Sequence, residues 1–161
     1  MRAPTIDEEV PSNALHVRCP TEDFEALGVR LPLHKIGKTR RETRHAWWEW
    51  LIDLARGLWE RPFIISGDFN TDRSARTRRS CDPIERLLAT GWQHAIPDEG
   101  PNFWNHRGPT KGRIDRTFLT HHWTLKTARY VPHTADFTLA GSAGSGALSD
   151  HAPLVIETDR L

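Results

Sequence analysis

Three short segments of the chain bring carboxylates to the ends of apolar runs: Gly67-Asp68-Phe69-Asn70, Arg113-Ile114-Asp115 and Ser149-Asp150-His151. Side chains two apart in a strand share a face, so Asp68 and Asn70 project together while Phe69 turns away. Each segment alone reads as ordinary turn or strand chemistry: an Asx turn after a strand, a structural aspartate, a histidine in a turn. Taken together, three carboxylates, an amide and an imidazole supply most of what metal-assisted phosphate hydrolysis requires. One carboxylate anchors a hard divalent cation with oxygen preference, and another orients or deprotonates the attacking water. An imidazole held by a carboxylate hydrogen-bonds a phosphoryl oxygen as charge builds there. Asparagine and arginine add neutral and cationic donors.

These residues need strands to carry them and helices to bury those strands. Asn13–Arg18 alternates apolar and polar residues as a half-buried strand does, Pro20–Asp23 reads as a turn, and Phe24–Leu31 as a second strand closed by Pro32. From Arg41 to Leu58 the period changes. Ala46, Trp47, Trp50, Leu51, Leu54, Ala55 and Leu58 mark the apolar face of a helix, and Arg44, Glu49, Asp53 and Arg56 mark its solvent face. The strand Phe63–Ser66 follows directly. Asp82-Pro83-Ile84-Glu85 is a capped helix start, with Ile84, Leu87 and Leu88 buried and Gly91 ending the helix. A short strand is expected over Trp92–Ile96, then a Pro- and Gly-rich loop over 97–112 with Phe103, Trp104, Asn105 and His106 in its middle. Strands are expected over Arg113–Thr120, Leu125–Val131 and Leu154–Glu157.

The 161 residues suffice for one domain with a core, read as residues 13–161 behind a loose arm over 1–12. A net charge of +1 gives no global electrostatic case for nucleic acid, so local charge must make it. The local candidate is the polar loop 71–80, with Arg73, Arg76, Arg78 and Arg79 directly after Asn70. Cys19 and Cys81 have no metal-ligand spacing, the N-terminus lacks the apolar segment of a signal peptide, and no run has the length of a membrane span. Those readings point to a soluble, cytoplasmic protein.

In their order, Gly-Asp-Phe-Asn at 67–70, Arg-Ile-Asp at 113–115 and Ser-Asp-His-Ala-Pro at 149–153 resemble the C-terminal signatures of the endonuclease/exonuclease/phosphatase superfamily. The resemblance extends over roughly Asn13–Glu157 and implies an α/β (α+β) fold. That fold is part of a two-sheet β-sandwich flanked by helices, in four layers α/β/β/α. It also implies a metal-dependent phosphoesterase using Mg²⁺ or Mn²⁺, acting on nucleic acid or a phosphorylated small molecule. By the same resemblance Asp68 activates water and contacts metal, Asn70 contacts the phosphate, and Asp150 lies near or on the metal. His151 contacts the scissile phosphate and Asp115 holds its tautomer. Arg30 stands where many members carry a phosphate-contacting histidine, and Trp104 and Asn105 lie in the substrate loop.

Two departures accompany the match. Arg116 follows Asp115 where an aromatic residue or histidine is common. Family members also usually carry further N-terminal strands, one with an asparagine and one with the principal metal-ligand glutamate. The acidic arm with Glu8 and Glu9 has no strand pattern to replace them. The expectation is therefore the C-terminal portion of the fold, with weakened metal binding and an exposed apolar sheet face that promotes self-association or pairing with an N-terminal half. The alternative function is a catalytically impaired fragment, or a non-catalytic module that binds phosphate or nucleic acid.

Overall fold

The computed structural model describes residues 13–31, 38–71, 82–97, 99–105 and 111–161. The expected arm over 1–12, the arginines of the 71–80 loop, His106 and Cys81 lie outside the described residues.

The central sheet has the order β1-β2-β3-β7-β4, from Ala14–Cys19 (β1), Phe24–Arg30 (β2), Phe63–Asp68 (β3), Asp115–Leu119 (β7) and Gln93–Ala95 (β4). β2 and β3 run parallel, with helix α1 (Lys38–Leu58) between them in sequence, and the other pairings are antiparallel. A parallel neighbour requires such a crossover element. Helix α2 (Asp82–Leu88) lies on the same face as α1, and there Leu27, Val29, Phe63, Ile65 and Phe118 from alternate strand positions meet Trp48, Leu51, Ile52, Leu54, Leu58, Ile84 and Leu87. These are the period-2 and period-3.6 faces the sequence carries.

The opposite face of the sheet is covered at one end by a two-stranded sheet, β8 (Trp123–Tyr130) and β9 (Leu154–Arg160). Ala95, Leu119 and Trp123 form a small second core there with Phe24, Ile64, Leu125, Ala128 and Ile156. The result is a mixed α/β fold whose described residues supply the layers helix, sheet and second sheet. On β1, Ala14 and His16 turn toward the helices, whereas Leu15 (67% exposed) and Val17 (48% exposed) lie on the other face.

Two local expectations change. The buried arc of α1 is wider than one stripe, because the helix packs on both the sheet and α2. Trp48 and Ile52 are fully buried, and Ala46 is exposed. Arg44 and Glu49 are not on a free solvent face: Arg44 reaches the end of β3, and Glu49 pairs with Arg86 of α2. The 97–112 loop contains a small hairpin, β5 (Phe103–Trp104) paired with β6 (Lys111–Gly112). Strands of two residues leave no alternation to read, so only tertiary pairing reveals them.

Gly67 sits one residue before the site, with φ +146° and the position a side chain would take filled by the Val29 backbone. A Cβ there overlaps the Val29 carbonyl, which belongs to the sheet ladder and cannot yield. Gly67→Ala is expected to destabilise the fold by about 4 kcal/mol or more, read from urea denaturation midpoints.

Candidate active site

The sheet register places one residue from each of three adjacent strands side by side at the same level. Arg30 of β2 pairs with Asp68 of β3, and Asp68 pairs with Asp115 of β7. The Arg30 Nε lies 4.0 Å from Asp68 Oδ2, though the arginine is largely exposed and the pair adds little stability. Two carboxylates directly opposite on neighbouring strands repel, so this row costs stability unless something else compensates.

Asp68 closes β3 and begins a tight corner. Its Oδ1 accepts the Asn70 backbone N–H at 2.8 Å, and its Oδ2 accepts Asn70 Nδ2 at 3.1 Å. Asn70 Nδ2 also donates to the Leu31 carbonyl at 2.6 Å, tying the ends of β2 and β3 together. Asn70 adopts φ +47°, a left-handed conformation that asparagine tolerates better than most residues. The Asx turn and the shared use of Asp68 and Asn70 therefore coexist. Burial, and secondarily the charge of Asp115, pushes the Asp68 carboxyl above its ordinary pKa, against the opposing effect of the Asn70 N–H.

Asp115 opens β7. Its Oδ2 accepts His151 Nδ1 at 2.9 Å and also the Asn102 side-chain amide. With Nδ1 donating to a carboxylate, Nε2 is the ring nitrogen left to meet a substrate. The hydrogen bond to Asp115 raises the His151 pKa above its ordinary value, outweighing partial burial; Asp68 and Asp150 add smaller effects in the same direction. The Tyr130 hydroxyl from β8 donates to the Asp115 carbonyl at 3.0 Å.

Asn102 is a residue that the motif spacing does not announce. It is fully buried, its Oδ1 accepts the Ile114 N–H at 2.8 Å, and its carbonyl accepts the Ala152 N–H at 2.7 Å. It thereby joins the start of β7, the His151 loop and the β5–β6 hairpin. A buried asparagine must spend its amide and carbonyl on specific partners, and here they are the site's own Asp115 carboxylate and the Ile114 backbone N–H. Its signal in the sequence was slight: one polar residue between Pro101 and Phe103.

The hairpin rests on the histidine loop. Trp104 N–H donates to the Asp150 carbonyl at 2.9 Å, Phe103 forms a bridge with His151, and the two rings lie 5.0 Å apart. Phe103 and Trp104 therefore stand beside the site, with Asn105 next in the chain.

Ligand atoms of Asp68, Asp115 and His151 all lie within 4.8 Å of one another. The two carboxylates suit a hard divalent cation such as Mg²⁺ or Mn²⁺, with the imidazole beside them. A cation would also relieve the Asp68–Asp115 repulsion and the burial cost on Asp68. Of the residues expected from the sequence, Asp68, Asn70, Asp115, His151 and Arg30 are brought together. Asp150 acts electrostatically on His151 but is not one of the three converging ligands.

The sequence model of the Endonuclease/Exonuclease/phosphatase family matches residues 4–151. No curated protein matches the chain. Among solved structures, a 3'-5' exonuclease from Neisseria meningitidis is similar with a TM-score of 0.74 and 17% identity, over 98% of this chain and 69% of that one. A 3' phosphatase from Neisseria bound to a product DNA hairpin is similar at TM-score 0.70 and 16% identity, over 93% of this chain and 72% of that one. An AP endonuclease from Archaeoglobus fulgidus is similar at TM-score 0.66 and 15% identity, over 84% and 62%. At these identities the likeness is one of fold.

Proposed function

Because the chain belongs to the Endonuclease/Exonuclease/phosphatase family, we propose that it is a metal-dependent phosphoesterase that hydrolyses a phosphodiester or phosphomonoester by water attack. The observation that carries the reading is the row Arg30–Asp68–Asp115 with His151 bonded to Asp115. Nucleic acid is the substrate class favoured by the DNA-acting neighbours, one of them bound to a DNA hairpin.

In this reading Asp68, its carboxylate held by the Asn70 backbone and side-chain N–H groups, orients the attacking water and accepts its proton. Asn70 fixes the water and the phosphate beside it. Protonated His151, held by Asp115 and Asn102, donates through Nε2 to a phosphoryl oxygen as negative charge develops. Arg30 contributes a cation at the edge of the row, without acid–base chemistry of its own. Trp104 and Asn105, with Phe103, border the substrate, where an aromatic ring can stack on a base. Asp68 and Asp115 would hold Mg²⁺ or Mn²⁺, with Asp150 beside them. When bound, the ion neutralises phosphate charge and lowers the pKa of water.

The test is hydrolysis of a 3'-phosphorylated or abasic DNA oligonucleotide, followed by gel, with and without EDTA. Cleavage that disappears with EDTA, returns with Mn²⁺ or Mg²⁺, and is lost in Asp68→Ala and His151→Ala supports the reading. Oligonucleotide binding without any cleavage would leave a non-catalytic binding module in its place. The exposed Leu15 and Val17 support self-association or pairing through this sheet face, and no helix among the described residues is long and apolar enough to cross a membrane.

A further inference from the structure

The corner after Asp68 exposes three successive backbone carbonyls, and a different donor meets each one. The Thr71 hydroxyl donates to the Phe69 carbonyl at 2.9 Å, Arg44 Nη2 to the Asn70 carbonyl at 3.2 Å, and Arg116 Nη2 to the Thr71 carbonyl at 2.9 Å. The Arg44 guanidinium also donates to the Thr71 hydroxyl oxygen. Arg116 Nη2 further donates to the Arg113 carbonyl at 3.0 Å, two residues before Asp115. The Phe69 N–H closes the same junction by donating to the Ile114 carbonyl at 2.9 Å.

Such bracing has a physical reason. Asn70 is held at φ +47°, which costs on the order of 1 kcal/mol and persists only where the surroundings over-determine it. Among the described residues, both hydrogen bonds to the Asp68 carboxylate come from Asn70, so relaxation of this one residue would turn the carboxylate. Neither arginine belongs to the Arg30–Asp68–Asp115 row. Arg116 is one residue beyond Asp115 on β7, so its side chain leaves the opposite face of the sheet, behind the site, where it is 5% exposed. A guanidinium stripped of water must satisfy its planar donors with protein acceptors, and here two of them are the carbonyls of the two segments that carry the carboxylates.

We infer that Arg116 and Arg44 are positioning residues: together they clamp the Asp68-to-Thr71 corner, and Arg116 ties that corner to the Arg113–Asp115 segment, setting the spacing of the two carboxylates. Arg116→Lys keeps the charge but loses the fixed fork, and Arg44→Gln removes the charge from a half-buried site. Both are made in the full chain and read by amide hydrogen exchange and by steady-state kinetics on the oligonucleotide. The kinetic arm rests on the phosphoesterase reading; the exchange arm does not.

In each variant the Phe69 and Asn70 amides are expected to exchange about tenfold faster or more, while the Ile65 and Phe118 amides in the core stay within about twofold. Expected with this is a fall in kcat of about 10–100-fold with KM nearly unchanged. Unchanged exchange at the corner, or acceleration only in step with Ile65 and Phe118, would overturn the clamp, since the arginines would then serve general stability alone. Should Arg116→Lys fail to fold, Arg44→Gln decides the matter by the same comparison. If the wild-type chain hydrolyses nothing, the phosphoesterase reading falls and the exchange pattern alone judges the clamp.

Discussion

Asp68→Asn is expected to abolish most of the hydrolysis and, at neutral pH, to make the protein more stable. For the proton-accepting role proposed for Asp68, the catalytic loss should be about 10²–10⁴-fold in kcat. The gain in stability follows from the carboxyl's environment. Burial and the facing Asp115 raise its pKa in the folded chain above the unfolded value. Below the ordinary carboxylate pKa of about 4 both states hold the proton and no penalty exists. As pH rises through the raised folded value, the unfolded chain has already released its proton and the folded one must follow at a cost, so stability falls. Asparagine cannot ionise and escapes that loss. Thermal melts should therefore show the variant above wild type at pH 7, with the advantage vanishing as pH falls below about 4. A variant less stable than wild type at neutral pH would mean that the Asn70 hydrogen bonds, rather than the buried charge, dominate at this position.

Asp115→Asn tests the other half of the site. The substitution preserves an oxygen able to accept from His151 Nδ1 and Asn102 but removes its charge. Because the bond to Asp115 is the largest cause of the raised His151 pKa, that value should fall back toward the ordinary 6.5 or so. It is measured directly by NMR titration of the imidazole. The wild-type histidine's contribution to stability is fully present below about 6.5 and is lost as pH rises through its raised value; in the variant this dependence should flatten. Hydrolysis near neutral pH is expected to drop by about 10²-fold or more, and the alkaline limb of the rate profile should move to lower pH, because less of the imidazole is protonated. A His151 titration identical in both proteins would remove Asp115 from its assigned part.

The two variants differ in what they ask of the fold. Asp68 is disfavoured in its charged state by burial, whereas His151 is favoured in its charged state by a partner. A folded chain that tolerates the first and provides the second sets two titratable groups about one site with different duties, a pattern typical of acid–base chemistry.

What the sequence determined by itself is local. Glycine at 67, aspartate at 68 and asparagine at 70 dictate a strand end and an Asx corner through their own backbone preferences. The Trp-rich 3.6 period dictates a helix, and the alternating runs dictate strands. The order of the three motifs was enough to name the family, because each motif lies within a few residues of chain. Tertiary structure alone decided which residues stand across from one another. The register that sets Arg30, Asp68 and Asp115 in one row comes from hydrogen bonding between strands 38 and 47 residues apart, and no local rule encodes it. Asn102 matters because three chain segments converge on its amide, and Phe103 and Trp104 become strands only by pairing with residues 111–112. Arg44 shows the difference most clearly. Its place in the helical period put it on the solvent face, and the packing of α1 over the end of β3 brought its guanidinium to the Asn70 carbonyl. Periodicity reports which side of a helix is apolar; it cannot report which polar side chain at that boundary the neighbouring strand will need.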